Sequence, residues 1–224
     1  MCARVTLRSG AAKVREEFGV SEGEPSPDFR PSYNVSPGRE VLAVVRNGEN
    51  RLALFRWGLV PSWARDPSIG HRLINARAET LARRPAYREA LLKRRCLVVV
   101  DGFYEWRREG GQSIPFFAHM ATDAPFGLAG LYERWRSPGG RELATCTVIT
   151  TGANRLLGAI HDRMPAIIPR EGRSAWLDPD TGDPAVLGRL LEPFPSEKME
   201  AYRVSTFVNS AAHDSPECIR PAGA

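Results

Sequence analysis

Alternating apolar and polar residues, broken by short runs of unbroken apolar ones, divide this chain into many brief elements. Residues 2–7 (Cys-Ala-Arg-Val-Thr-Leu) read as a strand, which ties the start of the chain into a sheet. Ala11–Phe18 reads as a short amphipathic helix that begins near Ser9 or Gly10 and stops at Gly19. A polar, proline-bearing loop covers 21–32, and 33–38 is irregular. Residues 41–46 and 52–57 predict a hairpin around Asn47-Gly48, a favoured turn pair. Residues 57–63 (Trp-Gly-Leu-Val-Pro-Ser-Trp) suit neither a helix nor a central strand. Residues 85–92 predict a helix with proline in its first turn.

The apolar run 96–100 predicts a buried strand, and Asp101-Gly102 a turn. In the following Phe103-Tyr104-Glu105-Trp106, alternation puts Phe103 and Glu105 on one face and Tyr104 and Trp106 on the other. Further strands are predicted at 114–120, 126–135, 143–150, 166–168 and 199–205. Helices are predicted at 151–160, 172–177 and 184–191. Short strands interleaved with short helices, without repeat or linker, predict one α+β domain over 1–224. Its expected form is a curved, barrel-like, mostly antiparallel β-sheet flanked by short helices. The ordered core is expected over about 2–210, with a loose polar tail from Ala211.

Composition narrows the class. A chain of 224 residues with 42% hydrophobic and 25% charged residues has the make-up of a globular protein with a real core. No apolar run is long enough to cross a bilayer, and Val-Thr-Leu-Arg after Arg4 is not a signal-peptide core. The expected location is therefore the cytoplasm. Cys2, Cys96, Cys146 and Cys218 are scattered with no CxxC pair, against both a zinc ribbon and disulfides. The net charge of +5 comes chiefly from arginine, which suits bidentate phosphate contacts. Walker, GxGxxG, GxSxG and HExxH motifs are lacking, and His71, His119, His161 and His213 lie far apart, so neither a cofactor nor a metal is expected.

Candidate chemistry collects at scattered polar residues: Cys2, Asn34, Asn75, Arg77, Glu105, His161 and Arg163. Removal of Met1 would leave Cys2 with a free α-amine and a thiol on adjacent carbons, a 1,2-aminothiol. Such an amine condenses with an aldehyde to an imine, and the thiol then closes a thiazolidine ring. An α-amine titrates near ~7.7–8.0, so roughly a quarter is nucleophilic at cellular pH, against about one part in a thousand for lysine. The charge of Arg4 would favour the thiolate. The alternative is a buried strand cysteine. Glu105 beside apolar neighbours either has a partner or a raised pKa, unless it is a surface residue on a half-exposed strand. Asn34 and Asn75 could equally be turn residues, Arg77 and Arg163 members of surface pairs, and His161 a helix C-terminal cation. Trp57 and Trp63 are either core corners or stacking platforms for bases.

The ordered set Met-Cys-Ala-Arg, Tyr-Asn-Val-Ser-Pro, Trp-Gly-Leu-Val-Pro-Ser-Trp, Ile-Asn-Ala-Arg-Ala-Glu-Thr, Arg-Cys-Leu-Val-Val-Val-Asp-Gly-Phe-Tyr-Glu-Trp, Ala-Gly-Leu-Tyr, Ile-His-Asp-Arg-Met-Pro and Val-Asn is far more specific than any member. It resembles the SRAP family, the SOS response-associated peptidase-like proteins, across essentially the whole chain. Departures are Ala3 where the family usually has glycine, Ser36-Pro37-Gly38 where Ala-Pro-Thr is frequent, and Val99 at a position often small or proline. None removes a reacting group.

The resemblance implies the SRAP fold and covalent capture of abasic sites in single-stranded DNA through the amine and thiol of Cys2, shielding the lesion during the DNA-damage response. It implies catalytic roles for Cys2, Asn75, Glu105 and His161. It implies phosphate contacts by Arg4, Arg77 and Arg163, polar contact by Asn34, and wedging or stacking by Pro37 and Trp63. No cofactor, metal or membrane is implied, and the expected form is a monomer associated with the nucleoid through DNA. Abasic-site lyase and peptidase activity are left open beside the crosslinking, and two alternatives stay open to it: a thiol peptidase that removes its own Met1 through Cys2, and a non-covalent single-strand binder.

Overall fold

Strands with both faces apolar close into a barrel, because neither face can be left to water. The computed structural model describes residues 2–21 and 28–223. Its strands are β1 (Val5–Leu7), β2 (Ser32–Val35), β3 (Glu40–Asn47), β4 (Glu49–Trp57), β5 (Asn75–Arg77), β6 (Arg95–Val100), β7 (Gly102–Glu109), β8 (Gln112–Met120), β9 (Phe126–Arg136), β10 (Glu142–Gly152), β11 (Arg163–Pro165), β12 (Ile167–Ile168) and β13 (Met199–Arg203). Five of them close a mixed barrel in the order β10-β4-β3-β6-β9 and back to β10. All its pairings are antiparallel except β10 with β4. The predicted single α+β domain with a barrel-like sheet is what forms.

β6 shows why its run reads as unbroken Cys-Leu-Val-Val-Val. Leu97 and Val99 enter one core with Leu42, Val44 and Ile149, while Cys96, Val98 and Val100 enter a second with Cys2, Trp57 and Phe103. A second, antiparallel sheet runs β13-β8-β7-β1-β2. Tyr104 and Phe117 on its far face pack with Val204, Val208 and Cys218 in a third cluster.

β10 is the spine that brings distant segments together. It pairs in parallel with β4 at Thr145 and Cys146, and further along with β5, where Val148, Ile149 and Thr150 face Asn75, Ala76 and Arg77. Its last residues, Thr150 to Gly152, pair with β11. Asn75, Arg77 and Arg163 thus gather at one end of a single strand.

The segment between β4 and β5 is closed at its base. Gly58 and Gly70 touch backbone to backbone: a Cβ on Gly58 would lie 2.8 Å from the carbonyl oxygen of Gly70, and one on Gly70 would lie 2.7 Å from that of Gly58. Gly58 also has φ +130°, which a side chain would strain. Val60 N–H donates to Thr145 Oγ1 at 2.9 Å, and Trp135 Nε1 to the carbonyl of Ala64 at 2.7 Å. Trp63, between these anchors, stays 60% exposed.

The expected helix at Ala11–Phe18 forms as α1, with Gly19 N–H and Val20 N–H bonded back to its last turn. The hairpin of β3 and β4 turns at Gly48, as predicted. Other expectations are corrected. The helix predicted at 151–160 shrinks to one turn, α2 (Arg155–Gly158), because Thr151 and Gly152 are claimed by the β10–β11 ladder and Asn154 caps the turn by accepting from Leu157 N–H at 2.9 Å. The irregular 33–38 holds most of β2, which begins at Ser32 at the end of the predicted loop and pairs with β1 through Val35 and Ser32. The first strand starts at Val5, three residues later than expected. In the loop predicted at 21–32, residues 22–27 lie outside the described residues. The tail is not loose: Cys218 is fully buried, Tyr202 Oη donates to the carbonyl of Ile219 at 2.8 Å, and Val204 bridges to Pro221.

Candidate active site

Cys2 sits just before β1, wholly buried among Val5, Trp57 and Phe103. The side-chain amide of Asn75, at the start of β5, donates from Nδ2 to the main-chain carbonyl of Cys2 at 2.6 Å. Oδ1 of Asn75 is buried and has no hydrogen-bond partner among the described residues. The backbone of Asn75 is held in turn by the β10 ladder and by the hydroxyl of Tyr87, which donates to its carbonyl at 3.3 Å.

Glu105 enters from β7, on the face of Phe103 as alternation requires, and is 2% exposed. Burial pushes its pKa up from 4.5 to about 7, and the carboxylate of Asp162 adds to the rise. Glu105 in turn acts on Cys2. Burial first, and the Glu105 charge second, hold the thiol protonated far above its ordinary range. The thiolate expected from the charge of Arg4 is therefore not favoured. The main-chain amide of Arg4 favours it, but the Arg4 guanidinium is spent on Asn34 Oδ1 and the carbonyl of Val208.

His161 follows α2, its N–H bonded to the carbonyl of Leu157 at 2.9 Å. Its Nδ1 accepts from the N–H of Arg163 at 2.9 Å, and Oδ1 of Asp162 lies 2.9 Å from the same nitrogen. Burial lowers the imidazole pKa, opposed by Asp162. Cys2, Asn75, Glu105 and the His161-Asp162 pair therefore form one cluster.

The other candidates divide into presented and committed residues. Arg77 is exposed, and its guanidinium has no hydrogen bond or ion pair among the described residues. Trp63 is exposed, and Pro37 is half-buried in the turn between β2 and β3. Arg163, by contrast, donates to both carboxylate oxygens of Glu79, at 2.6 and 3.1 Å, and to the carbonyl of Thr150 at 2.6 Å. Arg4 Nη1 donates to Asn34 Oδ1 at 2.7 Å and to the carbonyl of Val208 at 2.9 Å, with the guanidinium carbon 5.9 Å from the Trp106 ring centre. Asn34 is buried, its Nδ2 donating to the carbonyls of Val208, Ser210 and His213 at 3.2, 2.9 and 2.6 Å. Arg4 and Asn34 thus fasten the first sheet to the last segment.

Glu79, Tyr87 and Asp162 also belong to the site. Glu79 and Asp162 lie inside the quoted motifs, beside residues already singled out. Tyr87 carries no such signal, since its hydroxyl reaches Asn75 only through the fold. Among the described residues no group of three or more His, Cys, Asp or Glu is gathered as a metal would require, and no helix is long and apolar enough to cross a membrane.

Comparison with known proteins places this geometry in context. The chain is 45% identical to the Abasic site processing protein YoqW of Bacillus subtilis (strain 168), over 98% of this chain and 99% of that protein. It is 33% identical to the Abasic site processing protein HMCES of Gallus gallus, over 99% of this chain and 78% of that one. The X-ray structure of a Bacteroides thetaiotaomicron protein superimposes with a TM-score of 0.88 at 31% identity, covering 99% of this chain and all of that one. The family described as SOS response associated peptidase (SRAP) matches residues 1–211. This chain belongs to the SRAP family.

Proposed function

We propose that this protein captures abasic sites in single-stranded DNA by forming a thiazolidine with Cys2 once Met1 has been removed. The observation that carries this reading is the hold of Asn75 on Cys2 beside the buried carboxyl of Glu105. An abasic deoxyribose opens to an aldehyde. The Cys2 amine adds to the aldehyde carbon to give a carbinolamine, which loses water to an imine. The thiol sulfur then bonds to the imine carbon, its proton leaves, and the five-membered ring closes. One water is lost overall, and no oxidant or reductant is needed.

The thiol is held protonated, so the amine acts first and the sulfur second. With a pKa of about 7, Glu105 exists in both forms near neutrality. Its acid form can protonate the departing hydroxyl, and its carboxylate can take the thiol proton. His161 supplies a second proton carrier at the same cluster. Asn75 Oδ1 offers a buried acceptor to the amine or to a sugar hydroxyl. Exposed Arg77 and Trp63 suit a phosphate and a base, contacts that are indifferent to sequence. A monomer suffices for all of these steps.

The test is a denaturing gel with single-stranded DNA carrying one abasic site. Native protein is expected to give a heat-stable adduct whose mass equals the protein without Met1, plus the DNA, less one water. Cys2→Ala is expected to give none. Cys2→Ser keeps the amine and is expected to give an adduct only when borohydride traps the imine. An equal heat-stable adduct from Cys2→Ala would exclude this chemistry.

A further inference from the structure

Nδ1 of His161 has two neighbours and can satisfy only one at a time. The N–H of Arg163, 2.9 Å away, needs a bare nitrogen. Oδ1 of Asp162, also 2.9 Å away, needs a nitrogen that carries a proton. A neutral ring therefore keeps its proton on Nε2 and accepts from Arg163. A protonated ring turns an Nδ1–H toward Asp162 and gives up the Arg163 contact. The main chain fixes both partners: Ala153 N–H donates to the carbonyl of Asp162 at 3.0 Å, and Arg163 pairs with Gly152 on β10.

We propose that Asp162 is a positioning residue for the abasic-site reaction: its carboxylate takes over Nδ1 when His161 gains a proton, so the ring alternates between donor and acceptor without leaving the pocket. This rests on the crosslinking chemistry proposed above. The charged and titratable groups that act on His161 are Asp162 and Arg163 on its own segment, Arg108 from β7 and the positive charge at the start of the chain, while Glu105 is reached through Asp162. Asp162 favours the imidazolium, Arg108 and burial oppose it, and the Asp162 charge also favours the protonated form of Glu105. Asp162 thus biases both proton carriers in the same direction, although its own side chain is 86% exposed.

The test has two arms. In the first, ¹⁵N-imidazole NMR of the DNA-free protein follows His161, assigned with His161→Gln. The neutral ring is expected to be the Nε2–H tautomer. In Asp162→Asn the titration midpoint is expected to fall by about half a pH unit or more. An unchanged midpoint overturns the proposal. In the second arm, the rate of adduct formation is measured against pH. Asp162→Asn is expected to move both limbs toward acid, and Asp162→Glu to restore them. A purely structural role would lower the rate at every pH without moving the profile, and that result also overturns the proposal. If native protein forms no adduct at all, the crosslinking reading itself fails, and with it the catalytic purpose given to Asp162, whatever the NMR arm shows.

Discussion

The amide of Asn75 grips the main-chain carbonyl of Cys2 at 2.6 Å, across 73 residues of sequence. The place of Cys2 is therefore set by a side chain anchored in the β10 ladder. The contact is to the carbonyl, so it leaves the Cys2 nitrogen and sulfur free for the proposed chemistry.

Loss of that grip is expected to slow adduct formation more than it weakens the fold. Asn75→Ala should reduce the single-turnover rate by about ten- to a hundred-fold, because misplacement of a reacting group is costly. DNA affinity should remain close to native. Gel quantification of the adduct and a parallel binding titration check this, and an equal loss in both would assign Asn75 to DNA binding.

Glu105 gives a pH-dependent stability with a definite sign. Folding raises its pKa from 4.5 to about 7. Between those values the folded state holds a proton that the unfolded chain has lost. Native stability therefore falls as pH rises through that window and levels off above it. Glu105→Gln has no such dependence. It is expected to gain up to about 3 kcal/mol on the native protein between pH of about 4 and about 8, at about 1.4 kcal/mol per pKa unit. Denaturant unfolding at the two pH values checks this, and crosslinking by the variant should be slower by about 10²–10⁴.

Arg77 and Arg4 should behave oppositely when removed. Arg77→Ala is expected to weaken DNA binding across all sequences and to flatten its salt dependence by about one counterion. Arg4→Ala is expected to cost about 1–3 kcal/mol of stability, since Asn34 Oδ1 and the carbonyl of Val208 lose a charged donor. A salt series and an unfolding curve on each variant separate the two. A flattened salt slope in Arg4→Ala with native stability would place Arg4 on a phosphate.

Trp63→Ala should leave stability within about 0.5 kcal/mol of native, because the ring is mostly exposed. Binding to single-stranded DNA should weaken by about 1–3 kcal/mol, the usual worth of one stacked base. A fluorescence titration measures both the loss and its indifference to sequence.

Local patterning revealed a good part of this fold. Ala11–Phe18 and the hairpin at Gly48 follow from periodicity and turn chemistry, and alternation in β7 put Glu105 on the face of Phe103 while leaving open whether that face is buried. Where tertiary pairing overrode local preference, the pattern misled. Residues 151–152 look helical but are claimed by β11, and the polar stretch after Ala211 is drawn in by Cys218 and by the bond of Asn34 to the carbonyl of His213. Motif order named the candidate residues, but not the contacts each of them makes. That Arg163 faces Glu79, and Arg4 faces Asn34, depends on contacts between residues 84 and 30 positions apart. No spacing rule encodes contacts at such separations.

The backbone contact of Gly58 with Gly70 has a consequence for how this family can diversify. It closes the intervening segment like a clasp, so changes at the tip, around Trp63, need not propagate into the barrel. The two clasp residues have no room to vary, while the residues between the anchors at Val60 and Ala64 do. The segment is thus an exchangeable cartridge whose tip can change while the cluster around Cys2 is left as it is.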